Sequence, residues 1–192
     1  DTIQDGLKRA AGRADSDDVI VTMDADNTQP PEIIPCMLDE IRRGADVVIA
    51  SRYQAGARVD GLSRFRSLLT WCARFTFRFA FRVPNVRDYT SGFRAYRARV
   101  VHDALGAYGF DFVTERGFAC MAEILLKMHA MGARFTEVPM VLRYDLKGGA
   151  SKMNVPLTIW KTLRLIARTR RVSPKQPYAA EPAEPSRSAH EG

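Results

Sequence analysis

Two aspartates one residue apart, Asp24 and Asp26, are the first groups in this 192-residue chain whose types and spacing suggest chemistry. On an extended backbone alternate side chains point the same way, so both carboxylates would face one side. Paired carboxylates suit a hard divalent cation that also takes phosphate oxygens from a substrate. The same residues also make an ordinary acidic turn with an aspartate helix cap. A second chemical stretch is the loop over residues 142–152, LRYDLKGGASK. Its lysines and backbone N–H groups could hold phosphate, and a solvated loop has the same composition.

The elements that must position these groups follow from the pattern around them. Residues 19–23 are an apolar and β-branched run of the length of a buried strand, and the run stops at Asp24. Pro30-Pro31 and Glu32 then mark a helix start, with Ile33, Ile34, Met37, Leu38 and Ile41 at helical spacing and Gly44 as the stop. Residues 46–50, DVVIA, read as the next buried strand, which delivers Ser51-Arg52-Tyr53. Strand, helix, strand favours a parallel sheet with helices on its faces. In such sheets ligands sit at the carboxyl ends of strands, which is where the two aspartates fall.

Around this unit, residues 1–12 look like the end of an amphipathic helix. Residues 54–63 look like a loop, 86–97 a loop entering a short strand, 117–131 a helix carrying Glu123 and His129, and 134–139 a further strand. His129 has no second His or Cys at ligand spacing, so it reads as a packing residue. Residues 64–82 are helical in length, aromatic and basic. Arg66, Thr70, Arg74, Arg78 and Arg82 recur every four residues along one stripe. That is the composition of a helix in a membrane interface, and equally of a partly buried helix with a solvated arginine edge. Residues 156–171 form a second basic amphipathic stretch. From 172 onward Pro, Ala, Glu and Ser dominate, the composition of a disordered tail.

The length allows one domain with a true core. The net charge of +7 comes from unevenly placed arginines and points to an anionic partner. Cys36, Cys72 and Cys120 are scattered, without metal-type spacing, and read as free thiols in a reducing compartment. No signal peptide and no uncharged stretch long enough for a bilayer span is evident. The chain opens on Asp1 in what reads as helix interior, so a missing N-terminal segment is expected.

Taken in order, DADNTQPPE at 24–32, SRY at 51–53, Arg66 with Thr70, DYTSGFRAYR at 88–97, GFACMAE at 117–123, TEVP at 136–139 and GGASK at 148–152 resemble the family 2 glycosyltransferases. Within that family the pattern is similar to the polyprenyl- or dolichyl-phosphate mannosyl- and glucosyltransferases. The resemblance implies an α/β fold of the GT-A type, a Rossmann-like mixed sheet with helices on both faces, over residues 1–154 without its first strand–helix–strand unit. It implies a nucleotide-sugar donor (GDP-mannose or UDP-glucose), Mg²⁺ or Mn²⁺, a polyprenyl phosphate acceptor, and peripheral attachment at the cytoplasmic membrane face. Carried over residue by residue, Asp26, Asp24 and Gln29 would hold the metal. Arg52, Arg66 and Thr70 would hold the acceptor phosphate. Asp88, Ser91, Gly92, Arg94 and Glu123 would line the donor sugar pocket. The family often carries an arginine where this chain has Leu146, so Arg143 or Lys147, beside Ser151 and Lys152, would take the phosphate-clamping role. An ionised phosphate acceptor needs positioning rather than a strong base, and attack on the face opposite the leaving nucleotide would invert the anomeric carbon in a single displacement.

Three other readings are open on the sequence. Asp24-Ala25-Asp26-Asn27-Thr28 fits literally the DxDxT of haloacid-dehalogenase-type phosphatases, with Asp24 as nucleophile, but no later acidic pair at a strand end accompanies it. An inactive fragment that docks on anionic membranes through its basic helices is the non-enzymatic alternative. A nucleic-acid module is disfavoured, because the arginines lie on helices with heavy apolar faces and no binding motif appears.

Overall fold

The computed structural model describes residues 2–61, 79, 81–115 and 117–143. The expected basic helix over 156–171 and the tail from 172 lie outside these residues, as does nearly all of 64–82.

Ten residues, Thr2–Ala11, form α1, and β1 is Val19–Thr22. A 3₁₀ turn, Pro31–Ile33, leads into α2, Ile34–Arg42. Pro35 is accommodated because the first turn of a helix has no use for its N–H. β2 is Val47–Ser51 and β3 is Arg58–Asp60. β4, Arg94–Arg97, runs directly into α3, Ala98–Tyr108. Sequence spacing does not anticipate α3; its Val100, Val101 and Ala104 are all buried. α4 is Phe118–Ala130, followed by β5, Phe135–Pro139, and β6, Val141–Arg143.

Four strands form one sheet in the order β1-β4-β2-β5. β4 is antiparallel to both β1 and β2, whereas β2 and β5 are parallel. The sheet is therefore mixed. This mixed sheet is the one the resemblance implies; the strand–helix–strand alternation by itself favoured a parallel sheet, but β4 is inserted between β1 and β2. β1 and β2 still point the same way, since each opposes β4. The carboxyl ends of β1, β2 and β5 and the amino end of β4 consequently meet at one edge of the sheet. A smaller parallel pair, β3 with β6, closes beside that edge: the Met140 N–H donates to the Ser51 carbonyl and the Arg143 N–H to the Thr28 carbonyl. Arg143 thus belongs to a strand, which corrects its expected place in the 142–152 loop.

Both faces of the sheet are covered. Val47 and Ile49 of β2 join the core beneath α1, α3 and α4, while Val48 and Ala50 join the core beneath α2. All five residues of β2 are buried. A strand buried on both faces reads as a continuous apolar run rather than an alternating one. β1 is at the edge of the described sheet, and only its Ile20 is buried.

Ile49→Ala removes a fully buried side chain from the centre of the sheet. It is expected to destabilise the protein by about 2–5 kcal/mol, read as a lower urea midpoint at unchanged slope.

Candidate active site

The acidic turn after β1 is braced by its own neighbours. Asn27 adopts a left-handed conformation with φ of 59°, which asparagine tolerates better than most residues. That reversal lets Thr28 fold back on Asp26: its N–H and its hydroxyl donate to Asp26 Oδ1 at 3.2 and 2.6 Å. Gln29, 6% exposed, spans the turn. Its Oε1 accepts the Asp24 N–H at 2.8 Å and its Nε2 donates to Asp24 Oδ2 at 2.9 Å. The Gln29 carbonyl oxygen is therefore engaged by a backbone N–H. Gln29 thus holds Asp24 in place.

Opposite, the carboxyl end of β2 presents Arg52. Its Nε and Nη2 donate to the two oxygens of Asp88 at 2.8 and 2.7 Å, and Nη2 also donates to Thr90 Oγ1 at 2.7 Å. The Arg52 backbone N–H donates to Asp88 Oδ2 as well. Asp88 has no exposure, and the Arg52 side chain retains 14%. Burial works against ionisation of Asp88. The Arg52 guanidinium and the N–H groups of Arg52 and Thr90 outweigh it, so the carboxyl titrates below the ordinary aspartate value.

One cleft of about 290 Å³ joins these groups. Asp24, Asp26, Gln29, Arg52, Ser91 and Gly92 all line it. Gly92 matters because a Cβ there would meet Asp24 Oδ1 at 3.4 Å. Its carbonyl also accepts the Thr22 hydroxyl at 2.8 Å, which ties the two strand ends together. The far wall comes from Gly117, Cys120 and Met121 at the start of α4 and Ile3 of α1. Periodicity in the sequence does not mark these residues as a wall: Gly117, Cys120 and Met121 lie more than ninety positions after Asp24, and Ile3 about twenty before it. Gly117 has φ of 68°, a backbone that favours glycine as the helix begins.

Three expected sugar-pocket residues stand behind the cleft rather than in it. Asp88 acts on Arg52, as above. Arg94 is fully buried: its guanidinium donates to the Met121 and Tyr89 carbonyls, both at 2.8 Å. Glu123 is 3% exposed and accepts from Thr114 N and Oγ1, Glu115 N and Lys127 Nζ. It therefore caps the 114–115 loop. Arg66, Thr70, Lys147, Ser151 and Lys152 lie outside the described residues.

The donor set fits a hard divalent cation. Asp24 and Asp26 offer carboxylate oxygens to one cleft, while no group of three or more His, Cys, Asp or Glu that could hold a metal converges anywhere among the described residues, this cleft included. A cation at this pair would take much of its coordination from water or substrate oxygens. Among the described residues no helix is long and apolar enough to cross a membrane.

Comparison with known proteins adds an independent line. Residues 3–105 match the family model described as Glycosyl transferase family 2. The chain is 35% identical over 164 residues to the dolichol-phosphate mannosyltransferase of Pyrococcus furiosus, covering 85% of this chain and 42% of that protein. It is 33% identical over 137 residues to the undecaprenyl-phosphate mannosyltransferase of Micrococcus luteus, covering 71% and 54%. Against the polyprenol monophosphomannose synthase of Mycolicibacterium smegmatis it is 32% identical over 136 residues, covering 71% and 49%. The chain spans about half the length of these curated relatives.

The Asp88–Arg52 pair sets an acid-side dependence of stability. Because the Asp88 value is depressed on folding, its contribution is complete above the unfolded aspartate value and is lost as pH falls through the lower folded value. Asp88→Asn is expected to flatten that acid limb and to cost about 3 kcal/mol at neutral pH, measured by denaturant titrations from neutral to acid pH.

Proposed function

The chain belongs to glycosyl transferase family 2, and from that premise we propose that its cleft moves a hexose, mannose or glucose, from a nucleotide sugar to a polyprenyl phosphate. The observation that carries this reading is the meeting of Asp24, Asp26 and Arg52 in one cleft. A transfer between two phosphate-bearing substrates needs counter-charge on both sides of the reacting carbon, and the cleft offers a carboxylate pair and a guanidinium for those two tasks.

In the proposed reaction Asp24 and Asp26 would hold Mg²⁺ or Mn²⁺ beside the donor. Bound there, the cation would neutralise charge that develops on the departing nucleotide. Thr28 and Gln29 keep the two carboxylates aimed without reorganisation, which is where preorganised electrostatics gains its effect. Gly92 leaves room beside Asp24 for the donor. Arg52 orients the acceptor phosphate, and Asp88 fixes the plane of its guanidinium. The acceptor oxygen is already ionised near neutral pH, so it attacks the anomeric carbon directly. Attack opposite the leaving nucleotide inverts the configuration in one displacement, without a covalent enzyme intermediate.

The acceptor's lipid tail sets the location: the enzyme works at a membrane surface, peripherally and from the cytoplasmic side, where nucleotide sugars are available. Arg66 and Thr70 are proposed to join Arg52 at the acceptor phosphate, and Lys147, Ser151 and Lys152 to close over the phosphates.

The test is transfer of labelled sugar to polyprenyl phosphate, with GDP-mannose and UDP-glucose offered separately, in Mn²⁺ or in EDTA. One donor is expected to give a lipid-soluble product that EDTA abolishes. Asp26→Ala is expected to lower the rate by about 10²-fold or more. Label entering lipid from neither donor overturns the reading.

A further inference from the structure

We infer that Glu137 is the positioning residue for the Arg52–Asp88 pair. Glu137 lies in β5, in register with Ile49 of β2, two residues before Ser51 and three before Arg52. It is 7% exposed in a strand where an apolar side chain would be the ordinary choice. Its Oε1 accepts the N–H groups of Arg87 and Asp88, both at 2.7 Å. Burial pushes the carboxyl up, against the pull of those two N–H groups and of the Ser51 hydroxyl.

A buried carboxyl that satisfies two consecutive N–H groups of another segment fixes that segment's height and direction over the sheet. The segment here is the one that carries Asp88. From that fixed backbone Asp88 Oδ1 accepts the Thr90 and Ser91 N–H groups, and both its oxygens engage Arg52. Ser91 then pins the far end by donating to the Ala50 carbonyl at 2.7 Å. The chain of contacts runs from β5 through the backbone of residue 88 to the guanidinium at the cleft. Of these contacts Glu137 makes the one at residue 88 itself. An apolar side chain at 137 would leave both N–H groups without this acceptor, and Asp88 would keep its charge but lose its placement.

The readout is the Arg52 Nε–H signal in solution NMR, with its hydrogen exchange, which reports the bidentate geometry without any turnover. The Arg134 Nε–H, held by Asp46 at 3.1 Å, serves as the internal reference. In Glu137→Ala the Arg52 Nε–H is expected to exchange roughly tenfold faster or more, the equivalent of one net hydrogen bond lost, while Arg134 is unchanged. Glu137→Gln keeps a carbonyl oxygen at the same place and is expected to restore slow exchange. A folded Glu137→Ala protein whose Arg52 signal matches wild type overturns the inference. Should Glu137→Ala not fold, wild type decides: the Arg87 and Asp88 amides and the Arg52 Nε–H are expected to exchange through one common opening, and an Arg52 proton that exchanges while those amides stay protected overturns it. What Arg52 does in turnover rests on the function proposed above, so an inactive enzyme with the expected NMR response fails that function and not this inference.

Discussion

A carboxylate sealed from water organises the carboxyl edge of the sheet. Asp88 has no exposure, so each of its oxygens must find donors within the protein. It finds them in the Arg52 guanidinium, the Arg52 backbone and the N–H groups of Thr90 and Ser91. Those donors come from the end of β2 and from the loop before β4. Satisfying one buried charge therefore fixes two chain segments relative to each other. The pair is also why Arg52 reaches the cleft in a set orientation: a guanidinium bound through two parallel N–H contacts cannot rotate freely about its own long side chain.

The acidic turn solves a different problem. Asp24 is exposed and Asp26 partly so, and solvent can stabilise both charges without help from the fold. What the fold adds is direction. Thr28 and Gln29 are buried beneath the turn and bond to the carboxylates from below. Ordering is completed on folding rather than on ligand binding, which would lower the cost of binding the proposed cation and diphosphate. Gly92 belongs to the same arrangement, since a Cβ there would come to van der Waals contact with Asp24 Oδ1, at 3.4 Å.

Behind the cleft, buried polar groups act as braces. Arg94 bonds two main-chain carbonyls, one in the 88–91 loop and one in the first turn of α4. Glu123 and Lys127 form an ion pair one helical turn apart, and Lys127 also reaches the carbonyls of Asp111 and Phe112. Each brace joins an element of the cleft wall to its neighbour. Removing one partner would strand the other in a low-dielectric interior, which is why such groups hold loops as firmly as packing does.

How much of this was legible in the sequence depends on whether the cause is local. The strand, acidic turn, proline-started helix and second strand follow from periodicity and turn chemistry over a few residues, and α2 and β2 lie where those signals put them. The ordered motifs marked family 2, and six of the residues they nominated line one cleft. The sequence by itself determined the residue types: paired carboxylates after one strand, an arginine after the next, a glycine within the 88–97 motif. Tertiary structure alone decided that β4 lies antiparallel between β1 and β2, that Gln29 bonds back to Asp24, and that Asp88, Arg94 and Glu123 stand behind the cleft. It also decided that Ile3 and Cys120 form its wall. The physical reason is that burial and hydrogen-bond partnership are set by groups dozens of residues away, and a side chain's neighbours across a sheet leave no periodic trace in its own segment.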